Sequence, residues 1–319
     1  DGPSSNHYID SNLVSSNRQN GILFHFSGTD SNIVVRNKIG TDITGTQALG
    51  NTLDGIRFAE GPNHNKIGLA GKGNIISNNG GNGITVMTPA ELYNTFAENS
   101  IYNNAGLGID LFPAGPSMND AGDADIGPND LMNFPVIQNV NLNFSNGVTS
   151  ISGMIDYAVN AGSNGIKIEL FKSDNNASGY GQGKEFIGSA IANSSGNWYF
   201  SCSCLSASDL VTATAADLLG NTSEFSLNSS ITVGVNDATV NDNVLLYPNP
   251  ANSIVVVEFS DTKFQSSDYK IVNVLGEIVL TGHLKEIRNA ININTLAEEV
   301  YCLQINGRND KIIRKIIKR

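Results

Sequence analysis

The chain has 319 residues, 40% of them hydrophobic and only 15% charged, with a formal net charge of −11. This length exceeds what one hydrophobic core usually organises, so it predicts two or three domains, and the composition excludes a disordered acidic chain. The negative charge opposes binding to phosphate backbones, and no apolar run is long enough to span a bilayer. We therefore expect neither a nucleic-acid partner nor a transmembrane segment. The 33 glycines instead predict short strands joined by tight turns.

The start of the chain and its cysteines add two expectations. The sequence opens with Asp1-Gly2-Pro3 rather than Met, and repeat sequence begins at once, which indicates a fragment or a processed product. Three cysteines give an odd count, with Cys202 and Cys204 two positions apart. Because unpaired cysteine behaves as a small hydrophobic residue, we expect buried or idle thiols and no disulfide framework.

The first third of the chain repeats itself. Four segments of similar sequence recur at spacings of 25 to 34 residues, and a second column of asparagine-led segments precedes them. The first column comprises residues 20–24, 54–58, 82–86 and 107–111, and the second begins at Asn12, Asn37, Asn74 and Asn99. Repeats of this length predict a solenoid in which each coil carries at least two short strands and stacking builds one continuous core.

Side-chain alternation within the first column assigns a face to each residue. Apolar residues such as Ile56 and Phe58 point inward, and the residue between each such pair points outward. The outward row comprises Leu23, Arg57, Thr85 and Asp110. The asparagine column predicts an amide ladder at a corner of the coils, where asparagine tolerates unusual backbone angles.

These coils resemble the repeats of right-handed parallel β-helix proteins of the pectate-lyase-like type. A repeat of bacterial surface proteins in that class is similar to residues 37–42, with the sequence NKIGTD. The resemblance implies an all-β fold in which residues 1–115 are the C-terminal coils of a partial right-handed parallel β-helix, followed by two small β-sandwich domains. Because such solenoids are usually longer, it also implies further coils upstream.

An acidic junction follows at residues 116–134. Four carboxylates and two amides lie within residues 119–130. Calcium takes about six to eight oxygen ligands from flexible loops, and an Asp-x-Asp-x-Gly sequence places two carboxylates beside a glycine turn. The alternative is a solvated linker whose side chains cap turns, because the full EF-hand spacing and its closing glutamate are absent. The calcium hypothesis assigns as ligands Asp120, Asp123, Asp125, Asn129 and Asp130.

Residues 135–234 contain short alternating segments separated by turn signals such as Gly196-Asn197, and this pattern predicts an immunoglobulin-like β-sandwich. Segments 178–183 and 220–226 resemble bacterial immunoglobulin-like modules that follow β-helices, and this resemblance implies a spacer. Trp198 is the only tryptophan, and we expect it to anchor the core or an edge of this domain.

A polar linker at residues 235–243 leads into the most specific signal in the chain. Residues 244–319 contain several strand-like runs and predict a second small sandwich. They resemble the type A sorting domain of the type IX secretion system, although family proteins often have glycine where this chain has Glu299, and Cys302 is less typical. The matching residues are Tyr247, Pro248, Asn249, Pro250, Gly276, Tyr301, Gly307, Lys311 and Lys318.

The sorting resemblance implies export through the envelope of a two-membrane bacterium and recognition by an outer-membrane translocon and its sorting machinery. Attachment to the outer cell surface or release follows, usually with removal of the domain. The basic residues within 311–319 could be mistaken for a nucleic-acid site. We assign them to a final strand, because isoleucines lie among them and one short cluster is a weak electrostatic footprint.

A sorting signal gives a destination and not an activity, which must be argued from a site. One hypothesis is a non-enzymatic adhesion or glycan-contacting protein, favoured by the scattered outward side chains of the coils. The alternative is a polysaccharide lyase or glycoside hydrolase whose active site lies largely in upstream coils. Its candidate catalytic residues here are Arg57 and Asp110, about 10 Å apart by strand spacing. The four histidines show no metal-binding spacing.

Overall fold

A computed structural model describes residues 2–143, 146–157, 165–234, 244–260, 264–306 and 311–319. Strands, numbered here along the chain, dominate these residues, and the predicted all-β class is confirmed. The one helical element in the described ranges is a short 3₁₀ helix, Pro128–Leu131. Two compact units divide the chain, one centred on residues up to Val233 and the other on Gly234–Arg319. The predicted linker at 235–243 lies outside the described residues.

Residues 8–111 form a coil stack, in which each of four coils contributes one strand to each of three parallel sheets. The first sheet contains β1 (Tyr8–Asp10), β4 (Ile33–Val35), β7 (Lys66–Ile67) and β10 (Thr95–Phe96). The second contains β2 (Leu13–Val14), β5 (Lys38–Ile39), β8 (Ile75–Ser77) and β11 (Ser100–Tyr102). The third contains β3 (Ile22–His25), β6 (Ile56–Ala59), β9 (Ile84–Val86) and β12 (Ile109–Leu111). The two repeat columns predicted the second and third of these sheets.

The inward apolar side chains form the core of the stack. Ile56, Phe58, Ile84 and Val86 are fully buried, as alternation predicted. The rings of Phe24 and Phe58 stack with their centroids 4.6 Å apart. One coil cannot cover its own apolar face, so this core depends on in-register pairing that places Phe24 beside Phe58 and Phe58 beside Val86.

Asparagine ladders hold the corners of the stack. Asn74 Oδ1 accepts hydrogen bonds from the backbone N–H and the side-chain amide of Asn37, and Asn99 Oδ1 accepts the same pair from Asn74. The predicted ladder is therefore confirmed, with Asn12 as its first rung. The stack contains two further asparagine ladders, which the sequence analysis did not predict. They comprise Asn32, Asn65 and Asn94, and Asn17, Asn51, Asn79 and Asn104.

Two four-stranded sheets within residues 136–234 form what we term the middle module. One sheet has the order β17 (Asn197–Cys202), β14 (Val148–Met154), β13 (Val136–Asn143), β20 (Thr232–Gly234). The other has the order β16 (Gly183–Ile191), β15 (Lys167–Ser173), β18 (Leu210–Ala216), β19 (Ser229–Ser230). Both sheets contribute to one core, which includes Ile151, Leu170 and Trp198. Trp198 is 4% exposed, so its predicted role as a core anchor is confirmed.

A disulfide joins Cys202 to Cys204 at the end of β17. The two Cα atoms are 5.4 Å apart, a separation that a disulfide readily spans. The expectation of idle thiols is therefore wrong for this pair. The bend at Ser203 brings the two Cα atoms closer together than two residues of a strand would lie, and the two sulfurs bond there.

Residues 244–319 form the C-terminal module, again with two sheets around one core. The smaller sheet has the order β21 (Val244–Tyr247), β22 (Ile254–Phe259), β25 (Arg288–Asn292). The larger sheet has the order β24 (Ile278–Leu284), β23 (Ser267–Val272), β26 (Val300–Asn306), β27 (Lys311–Ile317). Val257 from the smaller sheet and Leu303 and Ile316 from the larger are fully buried. Ile316 of the last strand thus packs inward, in agreement with the assignment of residues 311–319 to a final strand.

Candidate functional site

The outward row of the third sheet is exposed only at its beginning. Leu23 is 48% exposed, whereas Thr85 and Asp110 are each 4% exposed. The prediction that Thr85 and Asp110 face solvent is wrong. The Asn82 side-chain amide donates to Thr85 Oγ1 at 3.0 Å, and the chain after β12 returns over Asp110. The Gly115 N–H donates to Asp110 Oδ1 at 3.0 Å and fixes that return.

Arg57 and Asp110 are linked through a column of hydrogen bonds. The Asn82 side-chain amide donates to Asp110 Oδ2 at 2.7 Å, and the Asn82 backbone N–H donates to Asp54 Oδ1 at 2.9 Å. Asp54 Oδ2 pairs with the Arg57 guanidinium at 3.2 Å. Burial raises the pKa of Asp110, and the hydrogen bonds from Gly115 and Asn82 partly offset this rise. Each charged group of the column thus has a partner inside the stack.

Three carboxylates of the acidic junction converge. One oxygen from each of Asp120, Asp123 and Asp125 lies within 4.8 Å of the other two. Backbone N–H groups hold the loop, since Ala124 donates to Asp120 Oδ1 at 3.0 Å and Asn133 donates to Asp123 Oδ1 at 2.7 Å. Asp125 Oδ1 is buried and has no hydrogen-bond partner among the described residues.

The electrostatics of this group disfavour three ionised carboxylates side by side. Burial raises the pKa of Asp123 to about 6, and the charges of Asp130, Asp125 and Asp120 add to that rise, against the Asn133 hydrogen bond. Burial also raises the pKa of Asp125, together with the charge of Asp120. Crowded carboxylates repel one another, and a divalent cation among them would relieve the repulsion.

Two of the five predicted calcium ligands lie outside this group. Asn129 is fully buried, and its Oδ1 accepts the Asn94 N–H at 3.0 Å, so it extends an asparagine ladder. Its side-chain amide donates to Thr222 O at 3.1 Å. The Asp130 carboxylate acts on Asp123 only through its charge. The sequence did not indicate this, because Asn129 meets its ladder partner across 35 residues.

The Tyr247-Pro248-Asn249-Pro250 motif holds the last strand of the C-terminal module. The Asn249 side-chain amide donates to Lys315 O at 2.7 Å, and Asn249 Oδ1 accepts the Ile317 N–H at 2.8 Å. We term these two hydrogen bonds the Asn249 clamp. A cleft beside the clamp is lined by Pro248, Pro250, Asn252, Ser253, Ile254 and Arg319. The motif at the start of the module and the end of the chain therefore form one surface.

Tyrosines at both ends of the module have defined partners. The Tyr247 hydroxyl donates to Glu258, and the Arg288 guanidinium lies over the Tyr247 ring at 5.7 Å. This hydrogen bond with Glu258 raises the pKa of Tyr247. Tyr301 is buried, and its hydroxyl donates to Ala297 O at 3.0 Å. Both tyrosines therefore serve the packing of the module.

The remaining predicted signal residues lie at turns and at the chain end. Gly276 has a φ of 83°, a left-handed conformation that favours glycine, in the turn between β23 and β24. The Lys318 N–H donates to Glu299 O at 2.9 Å, which ties the end of the chain to the residue before β26. Gly307 and the Lys311 side chain lie outside the part of the chain that the structure describes.

Residues 245–319 match the family described as the secretion system C-terminal sorting domain. They are a type IX secretion sorting domain. This sorting domain directs export to the outer cell surface or into the medium, as the sequence resemblance predicted. Among the described residues, no helix is long and apolar enough to cross a membrane.

Several solved structures are partly similar to this chain. The BSP domain of a biofilm associated protein is 15% identical, with a TM-score of 0.22, over 60% of this chain and 30% of that one. Dimeric latent PorU from Porphyromonas gingivalis is 14% identical, with a TM-score of 0.19, over 58% and 20% of the two chains. HBP35 of Porphyromonas gingivalis is 11% identical, with a TM-score of 0.30, over 57% and 62%. The chain spans less than two thirds of each, and these TM-scores carry no functional argument. No curated protein matches the chain.

The sorting domain also contains a Ser–His–Asp relay that sequence reasoning missed. Ser266 Oγ lies 3.2 Å from His283 Nε2, and His283 Nδ1 lies 2.7 Å from Asp268 Oδ1. The antiparallel register of β23 and β24 places Asp268 opposite His283. The His283 and Asp268 side chains are 42% and 81% exposed. Because water solvates such exposed groups and weakens their mutual interaction, we assign the relay no catalytic role.

Proposed function

We propose that this chain is a non-enzymatic adhesion or glycan-contacting protein, displayed on the outer surface of a two-membrane bacterium or released from it. The coil stack is then part of a right-handed parallel β-helix, and the middle module is an immunoglobulin-like domain. The sorting domain provides the route, through the outer-membrane translocon and its sorting machinery. The rigid stack provides the displayed contact surface.

The bonding of Asp110 is the observation that most supports a non-enzymatic role. Both of its carboxylate oxygens accept hydrogen bonds, one from Asn82 of the stack and one from Gly115 of the returning chain, and the side chain is buried. General acid–base catalysis requires a carboxylate that reaches the proton it transfers. Arg57, the other residue of the enzyme hypothesis, is paired with Asp54. The two candidate catalytic groups therefore already serve the structure.

Exposed apolar side chains on the first coil support a contact role. These are Tyr8 at 52%, Leu13 at 46%, Leu23 at 48% and Phe26 at 43% exposure. Aromatic rings such as those of Tyr8 and Phe26 offer a ligand a large flat area. Sugar rings present apolar C–H faces that pack on such rings, so a surface polysaccharide is the ligand class that we propose.

Immobilised protein and a panel of acidic and neutral polysaccharides test this proposal. We expect retention of at least one polysaccharide without new reducing or unsaturated ends, in the presence or absence of calcium. Phe26→Ser should weaken retention, whereas Leu219→Ser, at a 65% exposed position of the middle module, should not. Cleavage that disappears in Asp110→Asn would overturn the proposal in favour of a lyase or glycoside hydrolase.

We further propose that the acidic junction binds calcium through Asp120, Asp123 and Asp125. The convergence of the three carboxylates supports this role, as does the buried Asp125 Oδ1 without a partner among the described residues. Calcium that binds only the native state should raise the melting temperature of the unit that contains the junction. Asp123→Asn should abolish the increase, and Asp130→Asn, which removes the same charge outside the group, should retain it. An unchanged melting temperature on calcium titration would contradict the proposal.

A further inference from the structure

The last coil of the stack ends in an edge that a further coil would be able to pair. Inside the stack, some backbone N–H groups of each coil donate to the coil before it, and others donate to the coil that follows. Asn78 donates in this way to Tyr102 O, and Asn65 donates to Asn94 Oδ1. After β12 the chain leaves the stack, so the corresponding groups of the fourth coil need other acceptors. An edge with unpaired N–H groups is a template for strand addition.

Gln182 of the middle module occupies the position of a ladder rung. The Asn104 N–H donates to Gln182 Oε1 at 3.0 Å, just as the Asn79 N–H donates to Asn104 Oδ1 at 3.1 Å one coil earlier. The Gln182 side-chain amide donates in return to Asn104 O and Gly106 O. Gln182 is fully buried, and its side chain reproduces the hydrogen bonds of one asparagine rung.

The same replacement occurs around the other sides of the last coil. On the first sheet, Asn221 Oδ1 accepts the Tyr93 N–H at 2.7 Å, and Thr222 Oγ1 accepts the Phe96 N–H at 3.0 Å. Each remaining acceptor of this kind faces one backbone N–H of the last coil. From the middle module they are Glu169 for Glu98, Asp174 for Asn103 and Glu224 for Leu111, and from the acidic junction Asn129 for Asn94.

Aromatic side chains of the middle module close the end of the apolar core. Phe171 and Phe225 are buried in the same cluster as Phe58 and Leu111 of the stack. The rings of Phe171 and Phe225 meet edge to face, with centroids 5.4 Å apart. The core of the stack therefore continues into the module, and the polar acceptors surround this continuation.

Two buried carboxylates distinguish this contact from a simple connection between two domains. Glu169 and Glu224 are each 3% exposed, and burial of a carboxylate is costly unless hydrogen bonds compensate for the lost water. Both of them bond backbone N–H groups at the end of the stack. A spacer has no need for acids in this position, whereas a cap for a row of N–H donors does.

We propose that the middle module is the terminating cap of the coil stack. Its side chains take the place of a further coil and occupy the edge at which another strand would otherwise pair.

Hydrogen–deuterium exchange on the full chain tests the cap. Gln182→Ala should accelerate exchange at Asn104, and Glu224→Ala should accelerate it at Leu111, each about tenfold, because one hydrogen bond is lost. Exchange within the sorting domain should not change. Glu185→Ala is the matched control, since this residue lies three positions after Gln182, in β16, with a 60% exposed side chain. Unchanged protection of the last coil in both cap variants would overturn the proposal.

If Gln182→Ala does not fold, Gln182→Asn provides the same exchange test, because its amide is shorter by one methylene and withdraws from Asn104. Unchanged protection of Asn104 in Gln182→Asn would then overturn the proposal.

Discussion

The coil stack and the sorting domain secure their strands in opposite ways. In the stack, the same asparagine rung recurs from coil to coil, with partners separated by 25 to 37 residues. In the sorting domain, one exposed side chain, that of Asn249, reaches residues 66 and 68 positions away. The stack therefore repeats one contact many times, whereas the sorting domain ties its last strand to the entry motif through a pair of hydrogen bonds that occurs once.

This difference predicts where a single substitution should lower the free energy of unfolding most. A ladder rung is buried between two others, so its removal leaves polar groups that water cannot reach. The Asn249 clamp lies at the surface, where water can replace it in part. A substitution in one region should leave the other region unchanged, so each serves as a control for the other.

Asn74→Ala should give the largest effect. Asn74 exchanges hydrogen bonds with Asn37, Asn99 and Val34, and all of these groups are buried. Each buried polar group left unpaired costs about 1–3 kcal/mol, so we expect a loss of about 3–5 kcal/mol in the free energy of unfolding. Urea unfolding should show this loss in the stack and not in the sorting domain. Asn12→Ala, at the exposed first rung, should cost much less, and equal losses at the two rungs would contradict the ladder account.

The stability of the unit that contains the stack should fall as the pH rises. Burial raises the pKa of Glu224 from 4.5 to about 8, and the charge of Asp110 adds to this, against hydrogen bonds from the N–H groups of Leu111 and Ser117. The native state then binds the proton more tightly than the unfolded state does. The stability that this carboxyl contributes is complete below its unfolded pKa and is lost as the pH rises through about 8.

Melting temperatures between about pH 5 and 8 test this direction. They should decline across the range, and the decline should be smaller in Glu224→Gln, which resembles the protonated side chain. Burial also raises the pKa values of Asp110, Asp123 and Glu169, so a smaller decline should persist in the variant. An identical slope in the variant and the original chain would exclude Glu224 as a source of the effect.

Asn249→Ala should have a moderate effect that is confined to the sorting domain. Two hydrogen bonds at an exposed position together contribute about 1–2 kcal/mol. Urea unfolding should show this loss in the sorting domain alone, and export should decrease because the last strand is less firmly held. Asn252→Ala, at an exposed position in the adjacent turn, is the control. Equal stability of the two variants would show that the clamp does not secure the strand.

Leu275→Ser should have the smallest effect. This side chain is 80% exposed at the turn between β23 and β24. Surface substitutions away from buried networks usually change the free energy of unfolding by less than about 0.5 kcal/mol. A loss of stability larger than that of Asn249→Ala, measured in urea, would reverse the proposed ranking within the sorting domain.

Local pattern predicted the features that repeat or that carry a motif. The alternation around Ile56 and Phe58 identified the core of the stack, and the asparagine column beginning at Asn12 identified one ladder. The sorting domain followed from a short motif and its last strand. Each of these depends on residues close in sequence or on contacts between neighbouring coils.

Contacts between distant segments were not predictable in this way. The burial of Asp110 depends on the returning chain at Gly115, and Gln182 meets Asn104 across 78 residues. The acidic stretch predicts Asn129 as a calcium ligand. Its Oδ1 instead accepts the N–H of Asn94, the end of a ladder 35 residues earlier. No periodicity marks such positions, because each partner occurs once and the register of two separate elements brings it into place.

The most direct test of the account is the surface location of the chain with and without its sorting domain. Both forms, with the same export leader, would be expressed in a bacterium that has a type IX secretion system. The account predicts that the full chain reaches the outer surface or the medium, where added antibody binds it, and that a chain lacking residues 245–319 remains in the periplasm. Appearance of the truncated chain at the surface in equal amount would contradict the account.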